Sequence, residues 1–143
     1  MDVCEKLRDL VAASSAEVLA AIDEVPDDEA FTTTQDESGK TAADYALLVA
    51  QDKAMISTGL GSQTVPEVPP VLSSRSLAKS TIEDLEQDLE DQIVRLTPDD
   101  YSGPPSTLGY PIDCDLETYY DCVVAHSNRD NERANAIRAI FDE

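Results

Sequence analysis

The chain has 143 residues, with 30 acidic side chains against 10 basic ones and a net charge of −20. That length suits one domain, residues 1–143, with a core large enough to need no covalent staples. The charge argues against nucleic acid or an anionic membrane as a direct partner, because both would repel it.

Four segments carry helical periodicity. In "DVCEKLRDLVAASSAEVLAAIDEV", residues Val3, Leu7, Leu10, Val11, Val18, Ile22 and Val25 recur three, four or seven apart and form one apolar stripe. Asp2 and Glu5 have the spacing of a helix start. The second segment is "TAADYALLVAQDKAMIST". Thr41 and Asp44 have capping-box spacing, and Gly59 supplies a stop. Its inner face is expected to be Tyr45, Leu48, Val49, Asp52 and Ile56.

The third segment, "STIEDLEQDLEDQIVRL", presents Ile82, Leu85, Leu89, Ile93 and Leu96 on one side. Ser80 and Glu83 suggest its cap, and Pro98 its end. The fourth runs from about Asp115 to Phe141, with the stripe Leu116, Tyr119, Tyr120, Val123, His126, Asp130, Ala134, Ile137 and Phe141. No segment alternates as a strand.

Four amphipathic helices must bury their stripes on one another, so the expected fold is an all-α four-helix bundle. The connection "GLGSQTVPEVPPVLSSRSLAK", residues 59–79, is longer than an antiparallel turn needs. A crossover of that length lets helices two and three lie parallel. It also escapes the general acidity, with Glu67 as its one acid against Arg75 and Lys79. The loops 26–40 and 98–113 are long and placed to frame a site. "DESGKTAADYA" looks like the opening of one ankyrin unit, but it occurs once, and such units need stacked neighbours.

His126 is the chain's one histidine, and Asp130 follows it by one turn on the same helix face. An imidazole and a carboxylate so spaced can both reach one divalent ion. Asp52, on the second helix's stripe, would supply a third ligand, the minimum for an open catalytic site. Two carboxylates and one histidine suit nickel, zinc or manganese. Against this stands a plainer expectation. Arg129 and Arg133 flank Asp130, and either pairs with Asp52 or Asp130 if it turns inward, so that no metal is needed.

Tyr45 and Tyr119 are candidates to orient a substrate, although such tyrosines more often belong to the rim of a core. Cys122 lies one turn before His126, a spacing compatible with an activated thiol but better explained by packing. The cysteines Cys4, Cys114 and Cys122 are odd in number and lack a CxxC pair, which argues against a disulfide framework. "GLGSQ" has neither the lysine nor the preceding strand of a phosphate loop. The opening "MDVCEKLRDL" is charged from its second residue, unlike a signal peptide, and no apolar run approaches membrane-spanning length. A soluble, cytoplasmic protein is the expectation.

The layout resembles the DinB-like (YfiT-like) four-helix bundles, related to thiol-dependent S-transferases and maleylpyruvate isomerases. "GKTAADYALLVAQDKA", "STIEDLEQDL" and "YYDCVVAHSNRDNERANAI" carry the resemblance, which spans nearly the whole chain. It implies an up-down-down-up helix order, a dimer, and a metal held by three histidines. One of those comes from the second helix and two, spaced by four, from the last. By position His126 matches the first of the last pair, Asp130 stands at the second, and the second-helix position falls at Leu48.

The resemblance further implies a divalent-metal-dependent transferase or hydrolase acting on a small electrophile with a thiol or water. Here Asp52, His126 and Asp130 would hold the ion. The alternative is a non-catalytic binding or scaffold bundle whose metal site has decayed, and the loss at Leu48 favours it. A third reading, an acidic decoy that mimics DNA, ranks last because the carboxylates are spread over the chain. Solubility in a salt-rich cytosol accounts for them as well.

Overall fold

A computed structural model describes residues 3–59, 64–94 and 116–141. Among these residues five helices form: α1 (Val3–Asp23), α2 (Asp28–Thr33), α3 (Ala42–Gly59), α4 (Arg75–Val94) and α5 (Leu116–Ile140). Among the described residues the only β pairing is an isolated bridge between Gln35 and Thr41. Among the described residues no helix is long and apolar enough to cross a membrane.

The four long helices make the bundle. α1 packs on α4 and α5, and α3 packs on the same two, so α1 and α3 face each other across the diagonal. Side-chain pairs fix the directions. Lys79 near the start of α4 meets Asp23 at the end of α1 at 2.6 Å, so these two run antiparallel. Arg138 near the end of α5 meets Glu17 and Glu24 of α1 at 3.0 and 2.7 Å, which makes that pair parallel. Ser57 late in α3 bonds Asp88 late in α4, again a parallel pair. Leu48 and Asp52 meet Arg133 and His126 in reverse order, so α3 and α5 are antiparallel. The long helices therefore run up-down-down-up, and the crossover joins the parallel pair α3 and α4.

The core is built by Val18, Ile22, Val25, Phe31, Val49, Leu72, Ile82, Leu85 and Ile137, filled in by alanines on α1, α3, α4 and α5. The expected cap at Thr41 is present in full. The Thr41 amide donates to Asp44 Oδ2 at 3.0 Å, and the Asp44 amide donates to Thr41 Oγ1 at 3.2 Å.

Three expectations are corrected. The loop expected over 26–40 contains α2, whose first free amides are met by Asp27 through Ala30 N–H at 2.7 Å. That helix exists to insert Phe31, which is fully buried, and a single buried aromatic leaves no periodic trace in so short a segment. The third helix begins at Arg75, not at Ser80. Ser74 is its cap, accepting from Leu77 N–H at 3.0 Å, while Ser80 sits inside the helix and donates to the Leu77 carbonyl at 3.1 Å. On the inner face of α3, Val49 and Ile56 are buried as expected, but Tyr45, Leu48 and Asp52 are only half-buried, and the face turns instead toward Ala46, Ala50, Lys53 and Ser57, which are buried. Pro98 and the loop 98–113 lie outside the described residues.

Candidate functional site

Asp52, His126 and Asp130 do meet, at the seam between α3 and α5. His126 Nδ1 lies 3.6 Å from Asp52 Oδ2. His126 and Asp130 are buried, and Asp52 is nearly so. Antiparallel packing sets this register, since each turn gained along α3 is one turn lost along α5.

The centre of the cluster is a guanidinium. Arg133, three residues after Asp130, curls inward and donates to Asp52 Oδ2, to Asp130 Oδ1 at 3.2 Å and to the Leu48 carbonyl at 3.3 Å. Arg129 lies against the His126 ring, reaching Nδ1 and standing 3.2 Å from Nε2. His126 Nδ1 thus stands between the Asp52 carboxylate and the Arg129 guanidinium.

The electrostatics follow from burial and these partners. For Asp52, burial raises the pKa, but hydrogen bonds from His126 and Arg133 outweigh it and hold the carboxyl below its usual value. For Asp130, burial dominates and Arg133 and Lys53 offset only part of it, so the carboxyl is raised to about 6. Two carboxylates that share one arginine are thus driven apart. Asp52 keeps its charge, while Asp130 approaches the neutral form near pH 6.

A divalent ion does not fit this arrangement while Arg133 stays in place. The guanidinium bonds both carboxylates and would be a like charge at contact distance from any ion held there. Among the described residues no three His, Cys, Asp or Glu side chains are arranged to hold a metal. At Leu48, where the family resemblance would put a histidine, the chain offers its backbone carbonyl to Arg133.

Tyr45, a candidate catalytic tyrosine, does not join the cluster. Tyr45 lies seven residues before Asp52, about 10 Å along the helix axis. Its hydroxyl donates to Asp36 Oδ2, closing the turn that leads into α3. Asp36 also accepts from Ser38 N–H at 2.8 Å, from the Ser38 hydroxyl at 2.6 Å and from Lys40 N–H at 3.1 Å. These donors, Ser38 first and Tyr45 second, hold its carboxyl well below the usual range. Gly39 completes the turn at φ 85°, a left-handed conformation that favours glycine. Tyr45 and Asp36 border an open cleft of about 590 Å³ with Glu37, Ala136, Ala139 and Ile140. The side chains of Tyr119 and Cys122 lie outside the described residues.

One interior group was not anticipated. Lys53 is 1% exposed, in the middle of the bundle. Its charge acts on Glu86 of α4 and Asp130 of α5, lowering the pKa of each against the upward effect of burial. Both Glu86 carboxylate oxygens and the Ser15 hydroxyl of α1 are buried without a well-formed hydrogen bond, although Ser15 lies beside Glu86. A charged layer therefore crosses the bundle at this level. The sequence signal was the line Ala46, Val49, Ala50, Lys53, Ser57, but lysine is almost never fully buried, so it reads as surface.

No protein-family model, no curated protein and no solved structure matches the chain.

Proposed function

We propose that the chain is a non-catalytic binding or scaffold bundle of DinB-like layout, in which Arg133 takes the place a metal ion holds in the enzymes of that family. One observation carries this reading: a single guanidinium is shared by Asp52, Asp130 and the Leu48 carbonyl. A permanent cation gives the seam its charge balance without any Lewis-acid or water-activating chemistry. The charge of −20 fits a salt-rich cytoplasm, where counter-ions screen self-repulsion.

The rival is a divalent-metal-dependent transferase or hydrolase acting on a small molecule. It requires Arg133 to leave both carboxylates. Elemental analysis of tag-free protein grown with nickel, zinc and manganese separates the two. The scaffold reading expects no stoichiometric metal, and a melting temperature that rises with divalent ions no more than with simple salt of equal ionic strength. One ion per chain, lost on His126→Ala, would overturn it. A site-specific ion would also raise stability with the logarithm of its excess over Kd.

A further inference from the structure

The contiguous apolar core fills one end of the bundle. Its buried members reach Val18 on α1, Ala50 on α3, Leu85 on α4 and Ala134 on α5, and go no further. One turn beyond, the next buried side chain on each helix is polar: Ser15, Lys53, Asp88 and Asp130. Because α1 and α5 run opposite to α3 and α4, these four steps all lead toward the same end.

At this level three carboxylates are linked through two cations. Arg133 pairs with Asp52 and Asp130. Lys53 acts on Asp130 and on Glu86 of α4. Asp88 lies outside that set and accepts from the Ser57 and Thr64 hydroxyls. Glu86 is the member left over. Both its carboxylate oxygens are removed from solvent without a well-formed hydrogen bond. A charge so placed is costly.

The groups facing Glu86 come from both helices that α4 packs on. α3 contributes the Lys53 ammonium and α1 the Ser15 hydroxyl, while Glu90 on α4 itself repels from one turn away. Burial is the largest influence. With Glu90 it raises the carboxyl above the ordinary glutamate value of 4.5, against the lowering by Lys53 and Ser15. A way out exists close by. A groove of about 360 Å³ between α1 and α4 is lined by Glu5, Arg8, Asp9, Ala12 and Glu90. Ala12 and Glu90 each lie one turn from Ser15 and Glu86, and Arg8 is exposed there.

We propose that Glu86 is a proton-controlled latch on the α1–α4 seam: buried beside Ser15 while it holds its proton, turned toward the groove when it loses it. In the first state no charge needs solvation and the seam is dry. In the second, water and Arg8 meet the carboxylate, and the polar end of the bundle opens along this seam. Closure is therefore strongest at low pH and is lost as pH rises through the folded pKa of Glu86. The α1–α4 seam lies across the bundle from the α3–α5 seam of Asp52 and His126, so this test and the metal test fail separately.

The full chain is followed from about pH 4 to 8 by two measurements. Side-chain carboxyl NMR reads the protonation of Glu86, with Glu86→Gln identifying its resonance. Amide hydrogen exchange, corrected for the pH dependence of the exchange chemistry, reads opening in residues 11–15 and 86–92 against residues 18–22 and 78–82 of the apolar end. We expect Glu86 to titrate above 4.5. Between that value and its midpoint, opening at the polar end should rise by up to about tenfold per pH unit, as a single proton requires, and then level off. E86Q keeps the shape and never ionises, so it should remove this slope. A Glu86 midpoint at or below 4.5 would overturn the latch. So would a slope in E86Q equal to that of the wild type, or an equal rise at both ends, which would make the event global unfolding.

Discussion

Arg133 on α5 and Asp52 on α3 form a charge-assisted hydrogen bond across the bundle, with both side chains largely removed from solvent. The pair lies 81 residues apart in the chain and closes a seam that also holds Asp130 and His126. Taking such charges out of water is expensive, and their attraction offsets the cost only when every lone pair finds a donor. Here one guanidinium serves two carboxylates and a backbone carbonyl, and this sharing makes Arg133 the residue on which the seam depends.

Replacing Arg133 by methionine keeps the volume and removes the charge. Asp52 and the Leu48 carbonyl then lose a donor inside the protein. The expected loss is about 3–5 kcal/mol in urea unfolding at pH 7, the usual cost of leaving a buried partner unpaired. The triple variant D52N/D130N/R133M should recover most of it, because no uncompensated charge remains. An R133M loss within about 0.5 kcal/mol of zero, typical of a surface change, would show that the seam is wet.

Asp130 gives the protein a pH dependence of unusual sign. Its folded pKa, about 6, lies above the ordinary aspartate value of 3.8, so the native state binds more protons than the unfolded one between those values. Stability contributed by this group is full below about pH 4 and is lost as pH rises through 6, by an amount on the order of 2–3 kcal/mol. Asp52, held low, acts oppositely, and its contribution fades only as pH falls below the ordinary carboxylate range. Melting curves of wild type and Asp130→Asn between pH 4 and 7 isolate the first effect. D130N should show a flatter profile and should melt at least as high as wild type at pH 7. A parallel profile would assign the titration elsewhere.

At the turn before α3, the donors to Asp36 act in a definite order. Ser38 contributes most to the low carboxyl pKa and Tyr45 next. Carboxyl titration by NMR should therefore move Asp36 upward further in Ser38→Ala than in Tyr45→Phe. Both variants should keep the fold, because Asp36 is only half-buried and the Lys40 amide still serves it. A larger shift in Y45F would reverse the ranking and give the Tyr45 hydroxyl a stronger role in the cleft it borders.

Phe31 anchors α2 by one fully buried ring. Phe31→Ala should cost about 3–5 kcal/mol in denaturant unfolding, the range for deleting a core aromatic. A loss below about 1 kcal/mol would mean that α2 sits on the bundle without being part of its core.

Local chemistry was legible in the sequence. Thr41 and Asp44 read as a reciprocal cap, and they form one, because both ends of that bond lie within one turn. The stripes through Val18 and Ile22, through Ile82, Leu85 and Leu89, and through Ala134 and Ile137 read as helix faces and are buried. The long 59–79 connection implied parallel neighbours, which α3 and α4 are. Such features depend on spacing along the chain, and spacing is what a sequence records.

Tertiary structure decided the rest. The sequence could place His126 and Asp130 on one face and Asp52 on another, and it admitted either a metal ion or an inward arginine between them. Which of these fills the space depends on the register of α3 against α5. That register brings Arg133 level with Leu48 and Asp52, an alignment set by the packing of all four helices together. The same holds for Lys53, whose burial follows from α3 facing both α4 and α5, and for Phe31, whose short helix has no periodicity of its own to announce it. Interactions within a turn are fixed by covalent connection, whereas those between helices exist only once the bundle has chosen how its rods slide and rotate against one another.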